Sequence, residues 1–112
     1  MTVDKLIPQP ANRETFKRSR LRFIPDTPGC YVLATFGTGV LYVGLASRLR
    51  KRVNDHLDDP AKTNETKSGR AVFVFWIETR DLNKIERTWM NIHIENEGSL
   101  PILNGNYSPT ST

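Results

Sequence analysis

Arg48, Arg52 and His56 recur at every fourth position in the stretch Leu41-Tyr-Val-Gly-Leu-Ala-Ser-Arg-Leu-Arg-Lys-Arg-Val-Asn-Asp-His56. Two guanidinium groups and an imidazole in one row suit the gripping of a phosphate and the handling of a proton beside it. On a helix such a row stands on one face, and Leu49, Val53 and Leu57 repeat one residue later, about 100° round. One face packs and its neighbour carries the cations. Ala46 to Leu57 contains neither Gly nor Pro, and Ser47 is placed to cap the first turn. A strand that runs through Gly44 straight into this helix makes a junction suited to a phosphate. A basic helix face on its own is more often simply solvated, so the rest of the chain decides.

The elements that must hold these groups follow from pattern. Gly29-Cys-Tyr-Val-Leu-Ala-Thr35 and Val40-Leu-Tyr-Val43 are rich in β-formers and are joined through Gly37-Thr-Gly39, which predicts a β-hairpin with Tyr31 in one strand and Tyr42 in the other. The second strand is expected to end at Gly44, where the backbone turns or something approaches closely. Asp58 to Gly69 reads as a surface loop. Ala71-Val-Phe-Val-Phe-Trp-Ile77 is nearly continuous β-branched and aromatic sequence, as in a core strand covered on both faces. Asp81 is positioned to cap a second helix that stops before Gly98, with Leu82, Ile85, Trp89 and Ile92 on its apolar stripe and Glu86 beside it. Leu100 to Asn104 then return the chain towards the core.

Residues 1–11 carry two prolines and read as a loose arm or strand edge, and Asn12 is placed to cap a short helix through Glu14, Phe16, Arg18 and Arg20. Lys17, Arg18, Arg20 and Arg22 add to the cationic field. Pro25 and Pro28 close that segment. The order β, β, helix, β, helix defines an α/β (α+β) domain, a small three-stranded antiparallel sheet flanked by helices. Ser108 to Thr112 read as a flexible end.

At 112 residues the chain suits one domain. A net charge of +4 and a pI near 9.5 favour a polyanionic partner, with nucleic acid leading. Nothing approaches the roughly 18 apolar residues of a membrane span, and no signal-peptide pattern is present, so a soluble cytoplasmic protein without a membrane partner is expected. The single cysteine, Cys30, excludes an internal disulfide and a Cys-based zinc site, and reads as a small buried strand residue.

Gly29-Cys30-Tyr31 and Tyr42-Val43-Gly44, eleven residues apart from tyrosine to tyrosine, resemble the two tripeptides that define the GIY-YIG nucleases. Arg52, His56, Glu86 and Asn104 fall where that family places its remaining site residues. Cys30 and Val43 replace the usual isoleucines, which changes packing rather than chemistry. The likeness covers about Pro28 to Asn104. Asp26-Thr-Pro-Gly-Cys-Tyr31 is also similar to the start of the family's domain in the incision subunit of nucleotide-excision repair. The resemblance implies a nuclease domain over residues 28–105, preceded by an arm or short helix over 1–27 and followed by a flexible tail over 106–112. It implies a metal-dependent DNA endonuclease or nickase, with DNA and a recognition or repair protein as partners. A nucleic-acid-binding module with weak turnover, or the catalytic half of a complex with a recognition partner, is the alternative.

Hydrolysis of a phosphodiester needs an activated water, neutralisation of charge on the phosphoryl oxygens and help for the leaving oxygen. Glu86 suits a single Mg²⁺, with Mn²⁺ as a substitute, because no second acidic residue is well placed to bridge two ions. Arg52 offers a planar fork to the phosphate. Tyr31 is implied by the resemblance to activate or orient the water; a phenol with a reference pKa near 10 needs cations or a proton acceptor to do so, and His56 is the neighbour expected to serve. Tyr42 is expected to bond the phosphate or orient the water. Asn104 is expected to tie the C-terminal segment to the site in a structural role, and Gly29 and Gly44 to support it. Arg48, Arg50 and Lys51 are expected as DNA-backbone contacts. His93 reads as a surface histidine, and Trp76, Trp89 and Tyr107 as packing residues.

Overall fold

Gly29–Ala34 is the one strand with all six residues buried, and in the computed structural model, which describes residues 1–104, everything else packs around it. The chain runs through β1 (Asn12–Thr15), β2 (Gly29–Ala34), β3 (Val40–Ala46), α1 (Leu49–Leu57), a short α2 (Pro60–Thr63), β4 (Phe73–Glu78) and α3 (Leu82–Glu97), with 3-10 turns at Val3–Lys5, Arg18–Phe23 and Ile102–Asn104. The sheet is antiparallel in the order β1-β4-β2-β3. The α/β architecture expected from the sequence is present, with four strands where three were expected.

The extra strand comes from Asn12–Thr15, which was expected to open a helix. Asn-Arg-Glu-Thr has no apolar period, but an edge strand tolerates charged residues, and Asn12 to Thr15 pair with Trp76 to Phe73 of β4. β2 and β4 are the two inner strands, each paired along both edges. β2 is buried along its whole length, whereas β4 alternates buried Val74 and Trp76 with half-buried Phe73, Phe75 and Ile77, so the run expected to be covered on both faces is fully covered on one.

Alternation along the strands separates two apolar clusters. Tyr31, Leu33, Ala46, Val74 and Trp76 pack with Leu49 and Val53 of α1 and with Phe16 and Ile24. Cys30, Val32, Ala34 and Val43 pack with Trp89 and Met90 of α3 and with Val3 and Leu6. The two long helices therefore cover opposite faces.

The N-terminal residues are docked, not loose. Val3 N–H donates to Thr38 O at 2.9 Å, Val40 N–H to Met1 O at 2.9 Å, and the Trp89 indole to Pro8 O at 2.8 Å. Val3 and Leu6 are buried apolar anchors. Within the expected loop from Asp58, Asp59 caps α2 by accepting from Ala61 N at 3.0 Å. α3 stops at Gly98 as expected, although Asp81 makes no side-chain cap bond. His93 is buried on α3, with Nδ1 at 2.6 Å from Ser99 O, and is not the surface histidine expected. No helix among the described residues is long and apolar enough to cross a membrane. The tail expected over 106–112, with Asn106 and Tyr107, lies outside the described residues.

Candidate functional site

The antiparallel register sets Tyr31 opposite Gly44, and Tyr42, two residues before Gly44, projects from the same face. α1 covers this face and delivers His56. The Tyr31 hydroxyl lies 2.5 Å from His56 Nε2, and the ring centroids of Tyr31, Tyr42 and His56 are 5.3 to 6.0 Å apart. Gly44 makes this possible: a Cβ there would sit 2.6 Å from the Tyr31 hydroxyl and 2.8 Å from Tyr42 Cε2. The strand runs on through Gly44 to Ala46, so the glycine serves close approach and does not end the strand. Gly29 is equally constrained, since its Cβ would meet Ile77 O at 2.5 Å and Leu49 Cδ1 at 2.7 Å.

Burial dominates the electrostatics. Tyr31 has no exposed surface, and burial, followed by the negative influence of Tyr42, holds its phenol well above 10. Tyr42 is half-buried and also raised by burial. His56 is pushed down to about 4 by burial first, then by the Lys62 and Arg52 charges, with Asp59 and Asp55 acting the other way. At neutral pH the imidazole is therefore uncharged, in contrast to the cationic row read from the sequence. Arg52 is exposed, and its charge acts on both phenols to favour their ionised forms. It borders a cleft of about 290 Å³ with Ala46, Ser47, Arg48, Lys51 and Asp55. A larger cavity of about 410 Å³ beside Thr35, His93 and Glu97 contains none of the expected site residues.

Glu86 sits on α3, across the sheet from α1, and is buried. Its carboxylate is nonetheless felt by both phenols, whose ionisation it opposes. It also reinforces the burial that pushes the Cys30 thiol up to about 12, so Cys30 is an inert strand residue. Asn104 is buried at the β3 edge, where its amide accepts from Val43 N and donates to Val43 O, each at 2.9 Å. The side chain thus completes a strand edge as a neighbouring backbone would.

The helix junction is not the open phosphate cradle the sequence suggests. α1 starts at Leu49, with Arg48 as its cap residue and no bond from Ser47. The amides of Leu49, Arg50 and Lys51 are taken by Thr27 O at 3.0 Å, Pro25 O at 3.2 Å and Asp26 Oδ1 at 3.1 Å. Arg48 is held by Asp26 Oδ2 at 2.9 and 2.6 Å, Arg50 donates to Ile24 O at 2.7 Å, and Lys51 meets Asp55 at 3.3 Å. All three expected DNA contacts are exposed but internally engaged. The residue that sequence reasoning missed is Lys62, whose ammonium stands 4.8 Å from the Tyr42 ring centroid.

Fold and site together define a small mixed α/β domain with a phenol–imidazole pocket on one sheet face, bordered by cations. No family model matches the chain. Parts of it are similar to the UvrABC system protein C of Lactiplantibacillus plantarum, at 33% identity over 64 residues, 55% of this chain and 11% of that protein. The UvrABC system protein C of Ligilactobacillus salivarius matches at 37% over 38 residues, 34% of this chain and 6% of that protein. That of Geobacter metallireducens matches at 44% over 41 residues, 37% and 7% respectively. The chain thus spans about a tenth or less of the length of these relatives.

Proposed function

We propose that this chain is a metal-dependent DNA endonuclease or nickase of the GIY-YIG type, acting on the DNA backbone alone or with a recognition or repair partner. The observation that carries the reading is the 2.5 Å contact between Tyr31 and His56 beneath the half-buried Tyr42, with the Arg52 charge acting on all three. The partial similarity to UvrABC system protein C supports the same class.

Among the described residues no three His, Cys, Asp or Glu side chains gather to hold a metal. A lone carboxylate is still a sufficient protein ligand for Mg²⁺, which keeps several waters and takes substrate phosphate oxygens. Glu86, whose charge reaches the phenols, fits that donor set and would hold the ion. When bound, the ion supplies charge neutralisation for the phosphoryl oxygens.

The chain's own groups do the rest. Arg52 binds the phosphate through its planar fork. Tyr42 is the phenol that meets solvent, and Tyr31 connects it to His56. Water gives up a proton at this phenol pair, and His56 Nε2 is where that proton ends. In the resting protein this transfer is uphill, from a phenol held well above 10 to an imidazole at about 4, at about 1.4 kcal/mol per pKa unit. A phosphate that offsets Lys62 removes one cause that depresses His56 and so narrows the gap, whereas offsetting Arg52 raises the imidazole and the phenols together.

One observation favours a second reading, a binding module without turnover: Tyr31 has no exposed surface. Incubation with supercoiled plasmid and with branched or flapped DNA, in Mg²⁺ or Mn²⁺, separates the two. Metal-dependent cutting by the wild type that Glu86→Ala abolishes supports the nuclease. Salt-sensitive binding without cutting by either protein supports the module.

A further inference from the structure

Lys62 lies on a four-residue surface helix, yet only 15% of its side chain is exposed. A lysine there is free to extend into water; instead it folds inward over the Tyr42 ring, at 4.8 Å from the centroid. Its one acidic neighbour is distant: Asp59 Oδ2 is 3.8 Å away, while Asp59 Oδ1 is committed to the Ala61 amide at 3.0 Å. Among the described residues the ammonium has this loose ion pair and the aromatic face as its only partners. Three donors held in so covered a place, without a close acceptor, want anionic oxygens.

Arg52 stands one turn before His56 on α1, on the helix face that carries the imidazole. It is exposed, and its charge acts on Tyr31, Tyr42 and His56, while that of Lys62 acts on His56. Two cations from two separate elements thus converge on one pair of rings. We infer that Lys62 and Arg52 form a two-cation seat for a backbone phosphate, with the Tyr42 hydroxyl at its rim, so that Lys62 is a substrate-binding residue supplied by α2. This rests on the reading of the chain as a protein that acts on nucleic acid. A solvated lysine would not be folded over the ring, and a purely structural one would be closely paired.

Lys62→Met tests this, because it keeps an unbranched apolar stem on Tyr42 while removing the charge; Lys62→Arg restores the charge. DNA affinity is measured against salt in EDTA, where no metal-dependent cutting intervenes, with melting temperature read in parallel. The inference expects Lys62→Met to melt like the wild type, to bind roughly tenfold more weakly, and to lose about 0.9 from the slope of log affinity against log salt, the value of one phosphate contact. Lys62→Arg recovers both. A Met variant with wild-type affinity and slope overturns the inference. So does a loss that Lys62→Arg fails to recover, or a wild type whose DNA affinity does not depend on salt. Because the readout is binding without metal, a wild type that binds with the expected slope but never cuts removes the nuclease reading and leaves the seat standing.

Discussion

The hydroxyl of Tyr31 and Nε2 of His56 are 2.5 Å apart, joining a central strand to the helix that covers it. Burial drives the two groups in opposite directions, the phenol well above 10 and the imidazole down to about 4. Both are therefore neutral at pH 7, and a hydrogen bond between neutral partners is the form that tolerates a dry site best. The same burial makes the resting pair poor at moving a proton. In the proposed reaction, an anion arriving at Lys62 would ease protonation of His56.

The depressed imidazole has a consequence for stability. Its folded pKa of about 4 lies below the unfolded value of 6.5, so the unfolded chain binds the extra proton as pH falls. The contribution is fully present above 6.5, declines from there towards 4, and is worth roughly 3 kcal/mol over that window. Denaturant unfolding at stepped pH should show this decline in the wild type and a flatter profile in His56→Gln.

Gly44→Ala should cost about 1–3 kcal/mol through overpacking. The added Cβ would lie 2.6 Å from the Tyr31 hydroxyl and ring; Gly44 is on the edge strand β3, but Tyr31 belongs to the inner strand β2, which is held on both sides and cannot easily yield. Urea denaturation measures the loss, and near-ultraviolet circular dichroism should report displaced tyrosines.

Asn104→Ala removes both bonds to Val43 and leaves a buried strand-edge N–H and C=O without their partners. A loss of about 1–3 kcal/mol is expected, together with faster hydrogen exchange at the Val43 amide than at Val32, which lies inside the sheet. Unchanged exchange at Val43 would show that Asn104 does not complete the edge.

Arg52→Lys keeps one positive charge and loses the fork. Cleavage should fall about 100-fold or more, the scale of losing an oriented donor to the developing charge, while DNA affinity and melting temperature change little. Single-turnover rates beside a binding titration would separate these effects.

Periodicity made much of the architecture legible. Leu49 and Val53 gave α1 its packed face, the alternation through Tyr31 and Tyr42 gave the hairpin, and Gly98 closed α3. Polar β1 was not legible because an edge strand is chosen by its neighbour's free backbone and not by its own apolar pattern. Ser47 has the residue type of a helix cap, but Pro25, Asp26 and Thr27, more than twenty residues upstream, take the first amides of the helix. The buried stripe of α3 runs through Glu86, Trp89, Met90 and His93; the spacing of seven between Glu86 and His93, two turns on one face, was the signal that His93 lies inside. Lys62 carried no such signal. It follows Pro60 after a break in the helix, and only the fold brings its charge over Tyr42.

The most direct measurement is metal-dependent nicking of supercoiled plasmid by Tyr31→Phe beside the wild type, under single-turnover conditions. Removing one buried oxygen leaves ring packing intact and takes away the link between the half-buried Tyr42 and His56. The wild type should nick, and the variant should fall by roughly 100-fold or more, the scale of general acid–base catalysis, with melting temperature and DNA affinity close to wild type. Nicking by Tyr31→Phe at the wild-type rate would contradict the proposed link.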